Sequence, residues 1–385
     1  MIDAAGPSSQ DNSLQTRIKS THCAPAIPGK ILWTTPHRPP RHTPVPSLLA
    51  SGHLNISPMS QPGPASFGHI PVLLTQVLAA LAPKPGELYA DCTAGLGGHA
   101  VAVARHQLLA LNQSGEVTTP GLCVLNDFDP GNLARAAAAV GDLITPARVT
   151  QVRGNFAALP AELARRGTPA NMVLADLGFA SNQIDDPSRG MSFMRDGPLD
   201  MRLDPTGPIT AADLVNRASE QELKQLLYDF GEERDAPRIV RAIVAARAQS
   251  RITTTSQLAD VIRSAMPPSF KLVTGNDPAT RTFQALRIAV NDELGNLDAL
   301  LDTVADGAKA AASGSPTWLA PGARVAIISF HSLEDRSVKR AFAKIVKAEL
   351  ATDRRGDISQ ADDTERHENP RSRSAKLRVL TLADR

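Results

Sequence analysis

An open, doubly wound α/β sheet with a helical domain inserted into it is the fold this 385-residue chain predicts, on three observations. Short, near-continuous apolar runs alternate with helical stretches, the texture of parallel strands buried on both faces. Each run ends in a polar or glycine-rich stretch, the place where open α/β sheets hold their ligands. Between the fourth and fifth runs, about 150 residues carry helical period with little strand character.

In chain order, residues 1–65 stand apart. They hold 11 of the 30 prolines, four of the nine histidines (His22, His37, His42, His53) and scattered Ser, Thr and Gly without helical or strand period. Such a stretch buries too little apolar surface to order itself, so it reads as a disordered tail. From Phe67 the texture changes. Residues 87–92 form the first expected strand, which runs into Asp91-Cys-Thr-Ala-Gly95-Leu-Gly97-Gly98-His99 and a helix from Ala100. Residues 122–126, 149–153, 172–175 and 324–330 supply the other four strands, and residues 108–119 read as a surface insertion. Inside the helical block, Ser219-Glu-Gln-Glu222 fits a capping box, followed by Leu223, Leu226, Leu227 and Phe230 on one face. Phe283, Leu286, Val290, Leu294, Leu297 and Leu301 make a second apolar stripe. The expected division is a tail over 1–65, a sheet domain from 66–194 and 302–385, and an inserted helical domain over 195–301.

With 42% hydrophobic and 21% charged residues, the chain has the make-up of a soluble globular protein with a sizeable core. The net charge is +2, and the tail alone carries five basic and two acidic residues, so bulk charge does not announce a nucleic-acid binder. Cys23, Cys92 and Cys123 have no metal-ligand spacing, so a reduced, cytoplasmic chain without a metal site is expected. Met1-Ile2-Asp3 does not open a secretory signal, and no apolar run approaches the ~20 residues that span a bilayer.

The ends of the strands carry the chemistry. Glycines after the first strand let backbone approach a ligand, and amides at the following helix start favour a carboxylate or phosphate. No Gly-Lys-Ser/Thr follows, so this is not a phosphate loop. Asn126-Asp127-Phe128-Asp129 ends the second strand, where an acid accepts from both hydroxyls of a ribose or caps the next helix. Asp127 lies 32 residues after Gly95 against roughly 20 in dinucleotide folds. Phe156, after the third strand, is placed to stack on an adenine or to fill the core. Asp176, after the fourth, is an acceptor able to hold and polarise an amino group, unless it merely forms the turn. His331, after the fifth, is a second group that takes a proton near neutral pH. Basic runs at Arg336, Lys339, Arg340, Lys344 and Lys347, and at Arg371, Arg373, Lys376 and Arg378, suit phosphate contacts or a solvated helix face.

Nine stretches, taken together and in order from about residue 67 to 380, closely resemble the ribosomal RNA small-subunit methyltransferase H family, also called the MraW family. They are His69-Ile-Pro-Val-Leu-Leu74, the Asp91 to His99 loop, Asp176-Leu-Gly178, Arg189-Gly-Met-Ser-Phe193, Gly197-Pro-Leu-Asp-Met-Arg202, Gly231-Glu-Glu-Arg234, Thr282-Phe-Gln-Ala-Leu-Arg287, Ser329-Phe-His-Ser-Leu-Glu-Asp-Arg336 and Asn369-Pro-Arg-Ser-Arg-Ser374. The resemblance implies a Rossmann-like class I methyltransferase whose substrate is a cytosine amine in the decoding centre of small-subunit (16S) ribosomal RNA, free or within the 30S subunit. It implies S-adenosyl-L-methionine contacts at Gly97, Gly98, His99, Asp127, Phe156, Asp176 and Gln183. Asp176 or His331 is then the expected proton acceptor, and Arg336, Lys339, Arg371 and Arg373 the expected RNA contacts. The sequence allows a homodimer without specifying one.

Departures from the family's pattern fall at Met191, at Gly178-Phe-Ala-Ser181 where Gly-Val-Ser-Ser is usual, at Asp277-Pro-Ala-Thr-Arg281, and between Lys347 and Glu368. Rival functions fit less well. A nicotinamide oxidoreductase needs Gly-x-Gly-x-x-Gly spacing, which Gly95-Leu-Gly97-Gly98-His99 lacks. A DNA amine methyltransferase is expected to follow its strand-four acid with Pro-Pro-aromatic, and here Leu177-Gly-Phe follows. A non-catalytic RNA-binding assembly protein on the same fold has no need of the glycine loop with Asp127 and Asp176.

Overall fold

The apolar runs pair into one seven-stranded sheet in the computed structural model, which describes residues 70–114, 121–270, 275, 277–353 and 359–384. The tail expected over 1–65, with Cys23 and its four histidines, lies outside the described residues. After α1 (Leu74–Leu81), β1 (Tyr89–Asp91) leads into α2 (Gly98–Ser114), β2 (Cys123–Asp127) into α3 (Pro130–Ile144), β3 (Val149–Arg153) into α4 (Leu159–Arg166), and β4 (Ala170–Asp176) into the short α5 (Ser181–Asp185). Helices then follow one another: α6 (Ala211–Arg217), α7 (Glu220–Gly231), α8 (Ala236–Gln249), α9 (Thr255–Ala265), α10 (Ala279–Asn291) and α11 (Glu293–Ala312). β5 (Leu319–Ser329), α12 (Ser332–Lys347), β6 (Ala351–Asp353), α13 (Asp363–Glu368) and β7 (Lys376–Leu382) complete the order.

The strands lie in the order β3-β2-β1-β4-β5-β7-β6, with β1 to β5 parallel and β7 antiparallel to both β5 and β6. From β1 the chain winds outward to β3 on one side and, from β4, outward on the other. That reversal between β1 and β4 opens a crevice at the carboxyl ends of the strands, the Rossmann-like arrangement for a ligand. Both faces of the sheet are covered. One apolar core joins Val173, Val325 and Ile327 to Leu300, Leu301 and Val304 of α11 and Val338 and Phe342 of α12. The other joins Leu125, Met172 and Ile328 to α1, α2 and α3. The helices α6 to α10 close on a third core of their own, including Leu223, Leu227, Ile239, Ile243, Leu258 and Phe283. No helix among the described residues is long and apolar enough to cross a membrane.

The capping box at Ser219 forms as the spacing predicts, with the Glu222 amide donating to Ser219 Oγ at 3.2 Å and the Ser219 amide to Glu222 Oε2 at 2.7 Å. Three features depart from the sequence reading. Residues 108–114, expected in a surface insertion, continue α2, because the apolar period of Val101, Ala104 and Leu108 runs on against the sheet. The stripe from Phe283 to Leu301 is two helices, broken at Asp292 with φ +48°. Phe283 and Leu286 face the helical core, while Leu297 and Leu301 face the sheet. Finally, the run Lys376–Leu382, read only for its cations, is a strand: Leu377, Val379, Leu380 and Leu382 are buried while Lys376 and Arg378 pair with Asp335.

Candidate active site

Three adjacent strands each end in a carboxylate. Asp91 is paired with Leu125 of β2 and Leu174 of β4, so Asp127 and Asp176 each lie two residues beyond its partner, toward the crevice. Thr93, in the loop after β1, accepts the Asp176 amide on its hydroxyl at 2.7 Å and so ties that loop to β4. Asn126 does the same across the other side: its buried side chain donates to Cys92 O at 2.9 Å and Gly154 O at 3.1 Å, holding the turns after β1 and β3 together.

Asp91 is buried, accepting from the Tyr89 hydroxyl at 2.8 Å and the Thr93 amide at 3.1 Å. Loss of hydration dominates over those bonds and pushes its carboxyl up to about 6, with the Asp127 charge adding to the rise. Asp127 is half-buried and accepts the Gly95 amide on one oxygen and the Asp129 amide on the other, each at 2.8 Å. Its value is likewise raised by burial, against the pull of those amides. Asp129 is the helix cap of the pair: Oδ1 accepts from the Gly131 and Asn132 amides at the start of α3.

Asp176 is the most perturbed of the three strand-end carboxylates. A quarter of its side chain meets solvent, but Oδ1 is buried and has no hydrogen-bond partner. Desolvation first, then the charges of Asp91 and Glu334, raise its carboxyl to about 8. Oδ2 lies 3.8 Å from Nδ1 of His99. The other ring nitrogen, Nε2, is 2.9 Å from Val72 O and must donate to that carbonyl, which leaves Nδ1 of a neutral His99 as an acceptor facing Asp176.

Gly97 and Gly98 are fixed by packing. At Gly97, φ is +86° and an added Cβ would sit 2.8 Å from Cα of Ala136 in α3. A Cβ on Gly98 would meet Pro71 at 2.5 Å. The Gly95 and Gly97 amides are spent within the fold, on Asp127 and Ala94 O. Donors for a ligand carboxylate therefore fall to the first turn of α2, which begins at Gly98. Phe156 opens the short turn after β3, which Asn155 caps, and packs partly against the sheet core. Gln183 is buried in α5, where its side-chain oxygen accepts the Ala180 amide at 2.9 Å.

At the end of β5, His331 caps α12: its Nδ1 faces the Glu334 amide at 3.4 Å and its Nε2 lies 3.3 Å from Glu334 Oε1. Burial opposes ionisation of Glu334, yet His331, the Phe330 amide and Arg287 outweigh it and hold the carboxyl below its ordinary value. Glu293, His331 and Glu334 bring ligand atoms within 4.8 Å of one another. Arg287, clamped on Glu293 at 2.8 and 3.0 Å, already supplies positive charge there. This network was not foreseen from the sequence, although the three-residue spacing of His331 and Glu334 is a capping-box signal.

The expected RNA contacts divide. Arg336 pairs with Glu232 of the helical insertion at 2.8 Å and Arg371 with Asp185 at 3.2 Å. Lys339 is exposed on α12, and exposed Arg373 borders a cavity of about 260 Å³ lined also by Phe330, His331, Gln360 and Lys376. Motifs remote in sequence also meet: Asn369 donates to Ile70 O at 3.0 Å, and the Leu73 amide to Glu365 at 2.6 Å.

Comparison with known proteins agrees with this arrangement. A model described as the MraW methylase family matches residues 66–383. The chain is 43% identical over 333 residues to the Ribosomal RNA small subunit methyltransferase H of Symbiobacterium thermophilum, covering 82% of this chain and 96% of that protein. It is 42% identical over 335 residues to that of Sorangium cellulosum, covering 85% and 96%, and 40% identical over 356 residues to that of Granulibacter bethesdensis, covering 88% and 96%. On its sheet, its strand-end carboxylates and these matches across most of its length, the chain belongs to the MraW methylase family.

Proposed function

We propose that the chain is an S-adenosylmethionine-dependent methyltransferase of small-subunit ribosomal RNA, and that it methylates the exocyclic N4 amine of a cytosine in the decoding centre, in free RNA or in the 30S subunit. Asp176 carries the reading: a carboxylate at the switch point with one buried oxygen left without a partner. Such an oxygen suits an N–H donor in a dry site. The relatives' name supports ribosomal RNA as the substrate.

The crevice fits the cofactor. Asp127 keeps lone pairs beyond the two amides it accepts, enough for ribose hydroxyls. The first turn of α2, from Gly98 and His99, suits a carboxylate, Phe156 an adenine, and Gln183 and Asp176 complete the contacts. When bound, the cofactor supplies an electrophilic methyl group. The remaining work falls to the chain. Oδ1 of Asp176 accepts one N–H of the amine and turns its delocalised lone pair toward the donor. As the N–C bond forms, the surplus proton passes to the ionised Asp176 carboxylate. Because that carboxyl titrates at about 8, transfer rises with pH up to and beyond that value. His331, with both ring nitrogens turned to Glu334, holds α12 and its exposed Lys339 in place for phosphate contact, beside Arg373. Arg336 and Arg371 join them by exchanging their exposed carboxylate partners for phosphates.

Single-turnover transfer to ribosomal RNA at saturating cofactor tests this. Asp176→Asn should keep RNA binding, lower the rate by ~10² to 10⁴ and lose the rise toward alkaline pH. Wild-type rates from Asp176→Asn, with His331→Ala inactive, would transfer the proton to His331.

A further inference from the structure

Three residues past Asp176, the chain carries Phe179. Its ring is half-buried, yet it belongs to none of the three apolar cores and is not among the side chains packed against them. Phe156 and Phe330, by contrast, pack on the sheet's cores, and Phe193 and Phe283 pair edge to face against the helical core. What holds Phe179 is a cation: Cζ of Arg287 stands over the ring, 4.8 Å from its centroid. Arg287 is itself locked by two hydrogen bonds to Glu293 and is largely shielded from solvent. An aromatic plane is thus fixed on one face by a charged group from the helical insertion, three residues along the chain from Asp176 and its orphaned oxygen. Gly178, with φ +103°, makes the turn between them.

A base whose amine is to react must leave its stack, and an enzyme recovers part of that cost by offering a flat surface. We propose that Phe179, backed by Arg287, is the stacking surface for the target cytosine, so that the face of the base rests on the ring while its amine edge meets Asp176. The inference deepens the proposed function and rests on it. It also assigns the insertion a part in the site, since α10 supplies the guanidinium that fixes the ring.

The test uses the full chain and unmethylated small-subunit ribosomal RNA. Single-turnover transfer is followed at saturating cofactor while RNA concentration is varied. Phe179→Leu should lose about tenfold in kcat/KM for RNA, within the range of one lost base stack, with cofactor affinity and thermal midpoint unchanged. Phe179→Tyr, which keeps the plane, should stay within about twofold of wild type. Independently of any variant, RNA bearing a 5-iodocytidine at the target position should photo-cross-link to the peptide containing Phe179. Wild-type transfer with an unaltered Phe179→Leu value, or a cross-link that avoids Phe179, overturns the stacking role and leaves the proposed function standing. Absence of transfer by the wild-type chain overturns both.

Discussion

Asp176 and Asp91 are costly residues to fold, and the cost has a sign. Burial raises Asp91 to about 6 and Asp176 to about 8, both above the ordinary 3.8, so folding takes up protons onto these carboxyls as pH climbs above that ordinary value. Their contribution to stability is complete below the unfolded value and is lost as pH rises through 6 and then 8. The thermal midpoint is therefore expected to fall between about pH 5 and pH 9, and Asp176→Asn should flatten the upper part of that fall. A midpoint that holds steady across this range in the wild type would show that neither carboxyl is shifted. The cost also explains the division of roles among the strand-end acids. Asp91 is closed in by Tyr89 and Thr93, whereas Asp176 keeps one buried oxygen without a hydrogen-bond partner, as the proposed amine contact requires.

At the scale of the element, β2 and α3 show two acids, two residues apart, with different work. Asp129 satisfies the first amides of α3, so Asp129→Ala should cost about 1 kcal/mol of stability and leave cofactor affinity nearly unchanged. Asp127→Ala should weaken S-adenosylmethionine binding by roughly tenfold or more, the worth of ~1.5 to 3 kcal/mol for a charge-assisted pair. Calorimetry on both variants separates them, and equal affinities would remove Asp127 from the donor site. The strands bearing these acids were readable: residues 149–153 coincide with β3, and the runs at 87–92, 122–126, 172–175 and 324–330 all overlap strands. What was not readable depends on single backbone turns or on partners distant in the chain. The left-handed residue Asp292 leaves the spacing of Leu286, Val290, Leu294 and Leu297 unbroken, so periodicity alone runs two helices into one. β7 was hidden because its outward Lys376 and Arg378 resemble an RNA-binding run, while their partner Asp335 lies some forty residues earlier. The same holds for Arg336, whose partner Glu232 comes from the helical insertion.

Across the whole molecule, the crevice draws on segments from both ends of the chain: Val72 holds His99, Asn369 holds Ile70, and Glu232 bridges to Ser332 and Arg336. The family match begins at residue 66, so the first 60 residues lie outside the matched span. Deleting residues 1–60 should accordingly leave the thermal midpoint and the transfer rate nearly unchanged, and a drop of more than a few degrees would assign that segment a structural part. The central claim concerns the atom that receives the methyl group, because the role proposed for Asp176 is to hold an amine. Purified chain, S-adenosylmethionine and small-subunit ribosomal RNA from cells lacking this protein, offered both free and as 30S subunits, can be combined and the product digested and mapped by mass spectrometry. The account predicts one new methyl group, on N4 of a decoding-centre cytosine; a methyl on a ring carbon, a ribose or another base, or none at all, would contradict it.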